Sequence, residues 1–130
     1  MLSLDEARAY FAQDRFATEN GAVIEEIGED YAVCSMELTS RHRNALGNVM
    51  GGALFTLADF AFAVATNIGG RPTVSATSQI TFLRAAKGDR LTAKAEKVRS
   101  GRSSVYYEMT VWDELGNVVA RMTGYGAVVG

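Results

Sequence analysis

A nearly continuous run of apolar residues between Val49 and Ile68 is the most unusual feature of the chain. Two glycines, Gly51 and Gly52, stand at its start, and its only charged residue is Asp59, near its middle. The run is barely long enough to cross a membrane, and an acid at the bilayer centre is costly. We therefore predict a helix over about residues 50–68 that is buried on nearly all sides, and no membrane span.

Alternation of apolar and polar residues predicts strands on both sides of this run. Residues 22–27 and 31–39 precede it, and four further alternating segments follow, around residues 74–82, 91–95, 105–111 and 118–122. The breaks between the later segments contain Gly, Asp, Asn and Ser, which is typical of hairpin connections. The pattern predicts an α+β fold in which a curved antiparallel sheet of about six strands encloses one long helix.

The length of the chain predicts a single domain over residues 1–130. Ser3 and Glu6 have the spacing of a capping box, and Ala7 and Phe11 follow at helical intervals, so we predict a helix over about residues 4–18. A chain of this length keeps much of its surface exposed, and pairing with a second copy would bury more of it.

Charge and cysteine content exclude several classes of function. The net charge of −2 argues against nucleic acid as the main partner, because phosphate binding leaves a basic footprint. Cys34 is the single cysteine, so no intrachain disulfide is available, and the acidic N-terminal residues do not resemble a secretory signal. We expect a cytoplasmic protein.

The start of the long helix and the acid within it are the features that carry chemistry. The first N–H groups of a helix lack intrahelical partners, and Gly51 and Gly52 leave room for another group to approach them, such as a developing oxyanion. A carboxylate within an apolar helix is costly unless it is paired or functional, and composition alone divides these two interpretations of Asp59 evenly.

The spacing between these features has a geometric consequence. Gly51 and Asp59 are eight residues apart, which corresponds to about 12 Å along one helix. That distance is too long for both to act on the same carbonyl. If both take part in one reaction, they come from different chains, and the active site lies at a symmetric dimer interface.

The segment from Asn44 to Asp59 resembles the PaaI-type thioesterases of the hotdog superfamily. Their motif runs Asn-x-x-Gly-x-x-His-Gly-Gly-x-x-x-x-Leu-x-Asp, and the matching positions here are Asn44, Gly47, Gly51, Gly52, Leu57 and Asp59. The likeness extends from about residue 15 through residues 82–89 to the last strand. The motif is more specific than a lone glycine pair.

The resemblance implies a hotdog fold, a homodimer or homotetramer, and hydrolysis of an acyl-CoA to a carboxylic acid and free CoA without a metal or other cofactor. It implies that Asp59 is the general base or nucleophile, that the N–H of Gly51 or Gly52 polarises the thioester carbonyl, and that Asn44 orients water or the carbonyl from the partner subunit. Met50 occupies the place of the family histidine. This departure supports an alternative, a non-catalytic acyl-CoA-binding protein. A hotdog hydratase is a further rival, although it would need a histidine at that place.

Other candidate residues have a structural interpretation beside the functional one. A Cys34–His42 dyad is conceivable, but the strand pattern places Cys34 on the apolar face, and we interpret His42 as a surface or loop-packing residue. One histidine and one cysteine do not supply a metal site. Met50 and Phe55 are candidates for substrate contacts, and Thr66, seven residues after Asp59, is a candidate for lining the acyl pocket.

Basic residues in the second half of the chain are candidates for CoA binding. The resemblance points weakly to Arg99 and Arg102, near the turn at residues 99–102, and arginine suits phosphate groups. For each residue alone, a solvated strand edge is the simpler interpretation.

Overall fold

The computed structural model describes residues 1–130 and contains one six-stranded antiparallel sheet and three α-helices. The helices are α1 (Leu4–Phe11), α2 (Arg15–Glu19) and α3 (Gly51–Asn67). The strands are β1 (Ala22–Gly28), β2 (Tyr31–Glu37), β3 (Thr73–Phe82), β4 (Arg90–Ser100), β5 (Ser104–Asp113) and β6 (Val118–Val128). Their order in the sheet is β1-β2-β4-β5-β6-β3. The predicted fold class, a curved sheet around one long helix, is confirmed, and no helix is long and apolar enough to span a membrane.

Helix α3 forms the centre of the core because the sheet covers most of its circumference. Leu57, Ala58, Ala61 and Val64 are fully buried, and α3 contacts all six strands. The ring of Phe62 lies edge-on to that of Tyr107, with 5.7 Å between the ring centroids. Glycines at two positions of β6 make room for it, since a Cβ at either would lie about 3 Å from the Phe62 ring; these are Gly124 and Gly126.

The N-terminal segment forms two helices where one was predicted over residues 4–18. The capping box at Ser3 and Glu6 is present, but α1 ends at Phe11 and α2 begins at Arg15. Phe11 and Ala17 are both buried. Six residues apart on one continuous helix, they would point roughly 120° away from each other. The break between α1 and α2 lets both side chains reach the core.

Strand β3 stands at an edge of the sheet, and most of its side chains are exposed. Val74 and Phe82, at its two ends, are 51% and 54% exposed, which is unusual for large apolar residues that belong to a strand. The strand pairs with β6 on one side only. Its other side offers unpaired backbone N–H and C=O groups, a template for a further strand.

The turn after β5 is organised by the buried carboxylate of Asp113. It accepts hydrogen bonds from the backbone N–H groups of Lys87, Leu115 and Asn117 at 2.9–3.0 Å and from the Asn117 side-chain amide at 3.0 Å. Burial alone would raise the pKa of Asp113, but the hydrogen bonds from Asn117, Lys87 and Leu115 hold it below its usual value. The ionised carboxylate therefore joins this turn to the segment before β4.

We expect Asp113→Ala to lower the free energy of unfolding by about 2–4 kcal/mol, because it leaves several buried N–H donors without acceptors. Because the folded pKa is depressed, the stabilisation by Asp113 is present above the unfolded value of about 3.9 and is lost as pH falls through the folded pKa. Urea unfolding at several pH values measures both effects. Glu26→Ala, at an exposed carboxylate without a side-chain partner, is the control. An equal loss in both variants would contradict the role of Asp113.

Candidate functional site

One face of α3 is left uncovered by the sheet, and it carries the only charge of the helix. Gly52, Phe55, Asp59 and Ala63 follow one another at three- or four-residue intervals and are partly or fully exposed. The short helix α2 lies over the middle of this face. The functional candidates of the sequence thus share one surface with an otherwise apolar helix.

Asp59 opens into a cavity of about 390 Å³ between α2 and α3. Its walls are mainly apolar and are formed by Asp14, Arg15, Phe16, Ala17, Phe55, Thr56, Asp59, Phe60 and Ala63. A cavity of this size accommodates a small organic group. Asp59 therefore faces a space in which an acyl group could lie.

The environment of Asp59 disfavours its charged form. Burial raises the pKa of the Asp59 carboxyl, the side chain of Ser75 on β3 partly offsets this, and the negative charge of Asp14 raises the pKa further. No basic side chain forms an ion pair with Asp59. A half-buried carboxylate that lacks a compensating cation resembles a tuned acid or base more than a structural ion pair. The structure shows no ion pair for Asp59, and a catalytic role for this carboxylate stays a prediction.

The N-terminus of α3 presents free N–H donors. Met50 is the N-cap residue, and its carbonyl accepts from the N–H of Ala53 at 3.0 Å, so the N–H groups of Gly51 and Gly52 have no intrahelical partner. A Cβ on Gly51 would lie 2.8 Å from the ring of Phe82, whereas a Cβ on Gly52 would meet nothing within 4 Å. Gly52 thus borders open space at the positive end of the helix dipole.

A second cavity, of about 220 Å³, lies at this end of α3. It is lined by Phe16, Asn20, Met36, Arg41, His42, Met50, Gly52, Ala53 and Thr56. Gly51 and Asp59 belong to one unbroken helix, so about 12 Å along its axis separates them, as the spacing predicted. Within one chain, the helix N-terminus and the carboxylate border different cavities.

The side chain of Asn44 stabilises the loop that precedes α3. Its side-chain oxygen accepts hydrogen bonds from the backbone N–H groups of Leu46 and Asn48, both at 3.0 Å, which leaves the amide N–H donors exposed. Neither cavity along α3 includes Asn44 in its walls. A single chain therefore does not bring Asn44 to Asp59.

The structure argues against a catalytic Cys34–His42 dyad, because neither side chain is available for the reaction. Cys34 is fully buried, and burial raises the pKa of its thiol to about 12, so the reactive thiolate is absent at neutral pH. The Nδ1 of His42 accepts from the Thr39 N–H at 2.9 Å, and its Nε2 donates to the Asn20 carbonyl at 2.5 Å. His42 is buried and packs the loop against the end of α2, so loop packing, one of the two predicted roles, is confirmed and a surface position is not.

The candidates for substrate contacts fall into two groups. Met50 and Phe55 line the cavities along α3, as the hypothesis requires. Thr66 does not. It is buried, its hydroxyl donates to the Phe62 carbonyl at 2.8 Å, and it borders a separate cavity between the C-terminal end of α3 and the sheet. Seven residues return a side chain nearly to the same face, but they also carry it about 10 Å further along the axis.

Arg99 and Arg102 lie exposed at the connection between β4 and β5. Sequence reasoning missed Arg71, whose guanidinium donates to the carbonyls of Gly101 and Arg102 at 2.7 and 2.9 Å and so holds this turn in place. It also missed the contribution of α2 to the Asp59 cavity. No local motif signals either feature, because both depend on contacts between distant segments.

Comparisons with known proteins identify the family that shares this fold. The model of the thioesterase superfamily matches residues 46–120. The acyl-coenzyme A thioesterase PaaI of Escherichia coli K12 is 34% identical over 95% of this chain and 89% of its own length. The crystal structure of E. coli PaaI superposes with a TM-score of 0.85 at 31% identity, covering 98% of this chain and 97% of that one. A Streptococcus pneumoniae thioesterase protein solved with coenzyme A superposes with a TM-score of 0.84 at 27% identity, covering 92% and 97%.

Proposed function

This chain belongs to the thioesterase superfamily, and on that premise we propose that it hydrolyses acyl-CoA thioesters to a carboxylic acid and free coenzyme A. The observation that carries the proposal is the unpaired carboxylate of Asp59, set in an apolar cavity on the exposed face of α3. The name of the E. coli relative and the coenzyme A bound to the S. pneumoniae protein support this substrate class.

Two groups on the exposed face of α3 carry out the proposed reaction, the Asp59 carboxylate and the N–H donors at the helix N-terminus. As a general base, ionised Asp59 takes a proton from a water molecule, and that water attacks the thioester carbonyl. As a nucleophile, the Asp59 carboxylate attacks the carbonyl itself, and water hydrolyses the resulting anhydride in a second step. The N–H of Gly51 or Gly52 at a helix N-terminus donates to the developing oxyanion. Collapse of the tetrahedral species breaks the C–S bond, and the CoA thiolate leaves and takes up a proton. Asn44 contributes its exposed amide as a further donor.

We propose that two chains complete each active site, in a dimer or a dimer of dimers. The carboxylate and the helix N-terminus of one chain are about 12 Å apart, and β3 beside them has an uncovered edge. Ser75 lies near Asp59 and Phe82 lies against Gly51, at opposite ends of β3. Antiparallel pairing of two β3 strands about their midpoint would bring Asp59 toward the partner's helix N-terminus.

The basic turn between β4 and β5 provides the remaining proposed contacts of coenzyme A. Arg99 and Arg102, on the turn held by Arg71, are the proposed phosphate contacts. Met50, 45% exposed beside Gly52, stands where relatives of this type carry histidine, and this favours a second candidate function, acyl-CoA binding without turnover. A cytoplasmic location stays a prediction.

A thiol-release assay with butyryl-, octanoyl- and benzoyl-CoA tests the proposed function, with equilibrium binding of the same esters measured in parallel. We expect free thiol to appear in proportion to enzyme with at least one ester. Tight binding of every ester without thiol release would establish the binding protein instead. The absence of both binding and release would contradict an acyl-CoA function altogether.

The pH dependence of turnover should report the environment of Asp59. Burial and the nearby charge of Asp14 raise the pKa of Asp59, and the ionised form is the active one. The acid limb of kcat/KM should therefore have its midpoint above the ordinary aspartate value of about 3.9. Asp14→Asn should move the midpoint down, because it removes a negative charge, while Asp5→Asn on α1 should leave it in place. The neighbouring Arg15 is paired with Glu19 and contributes little. An unshifted midpoint in Asp14→Asn would contradict the coupling.

A further inference from the structure

Phe16 is the most exposed of the large apolar side chains that border the site. It lies on α2 between Arg15 and the buried Ala17, and 76% of its surface is exposed. It belongs neither to the buried core nor to the partly buried residues packed against that core. Its surroundings suggest a different role.

Phe16 and Thr56 are the only residues that line both cavities along α3. Thr56 belongs to α3 and forms the floor, and Phe16 faces it from α2. A residue that borders two neighbouring cavities lies between them. The Phe16 ring is therefore the wall that separates the cavity of about 390 Å³ at Asp59 from the cavity of about 220 Å³ at the helix N-terminus.

The backbone that carries this ring is tied to the rest of the fold. The Asn20 side chain donates to the Phe16 carbonyl at 2.7 Å, and the Asn20 carbonyl accepts from His42 at 2.5 Å. Arg41 donates to the carbonyl of Glu19 at 2.7 Å. These bonds anchor α2 to the turn at Ser40–His42. The anchored backbone keeps the Phe16 side chain over Thr56, between the two cavities.

We propose that Phe16 closes the far end of the acyl cavity and determines the longest acyl group that the enzyme hydrolyses efficiently, an inference that rests on the proposed thioesterase function. The cavity at Asp59 has apolar walls, including Phe55, Phe60 and Ala63, that suit an acyl chain. A chain that outgrows this cavity meets the Phe16 ring. Removal of the ring opens the second cavity to the end of the chain.

The experiment compares kcat/KM for butyryl-, octanoyl- and dodecanoyl-CoA in wild type, Phe16→Ala and Phe16→Trp. Phe16→Ala should raise the ratio of dodecanoyl to butyryl turnover by about tenfold or more, since contacts of a few methylenes are worth this much. Phe16→Trp should lower the same ratio. Tyr10→Ala, which removes an exposed aromatic ring that borders neither cavity, should leave it unchanged.

The oligomeric state of each variant, measured by light scattering, shows whether Phe16 separates the two cavities or instead contacts another subunit. An unchanged chain-length ratio in Phe16→Ala, with thiol release intact, would overturn the proposal. An equal loss for all esters, or dissociation of the oligomer, would overturn it as well and would assign Phe16 to an interface. If wild type releases no thiol, the proposed function fails. The ratio of dodecanoyl-CoA to butyryl-CoA affinity, measured by equilibrium binding, then still tests whether Phe16 limits the length of the acyl chain.

Discussion

We expect thiol release to fall by about 10²–10⁴-fold when Asp59 is replaced by asparagine, because the substitution removes a general base or carboxylate nucleophile. Asparagine keeps the size of the side chain and loses the charge. Because burial raises the pKa of Asp59, the folded state disfavours its ionised form, and neutralisation should leave the melting temperature unchanged or raise it. Thiol release, thermal melting and light scattering on the same preparation measure these effects.

A matched variant separates the role of this carboxylate from general charge effects. Asp5→Asn removes an exposed carboxylate in the first turn of α1, far from the uncovered face of α3, and should keep wild-type turnover. An Asp59→Asn variant with substantial activity would refute the assignment. An Asp59→Asn variant that unfolds or dissociates would show that the carboxylate is structural.

Gly52→Val is the second substitution with a large expected effect. A Cβ on Gly52 meets nothing within 4 Å in the chain, so valine should fold without strain and should stabilise the first turn of α3 slightly. Its side chain would project into the space in front of the helix N-terminus and block access to the N–H donors there. We expect a loss of about 10²–10³-fold in kcat, comparable to the loss of one oxyanion donor.

Gly69→Val is the control for this substitution, because Gly69 also faces open space but follows the opposite end of α3. It should keep wild-type turnover and a similar melting temperature. If Gly52→Val hydrolyses esters as fast as Gly69→Val, the helix N-terminus takes no part in the reaction.

The central helix and its acid could be predicted from the sequence, because both depend on local pattern. A long apolar run needs to be enclosed, and the six alternating segments supply the sheet that encloses it. The single charge in that run directs attention to Asp59, whose place on the uncovered face of α3 agrees with a functional role. The predicted separation of Gly51 and Asp59 along the helix axis is confirmed as well, since both lie on one unbroken helix.

Features that depend on contacts between distant segments could not be predicted. The break between α1 and α2 arises because Phe11 and Ala17 must both reach a core that sequence periodicity does not describe. That break places Phe16 over α3, where no motif indicates it. That Thr66 borders a different cavity from Asp59 could not be predicted, because helical periodicity gives the face of a side chain but not the distance along the axis at which a cavity ends.

In the proposed reaction, Asp59 of one subunit and the helix N-terminus of another act on the same thioester. Mixing the inactive variants Asp59→Asn and Gly52→Val tests this requirement most directly, with subunit exchange verified by native mass spectrometry. Random reassociation makes half of the dimers mixed, each with one intact site, and about a quarter of wild-type thiol release should return. No recovery after complete exchange would show that each chain carries its whole active site, and would contradict the shared site.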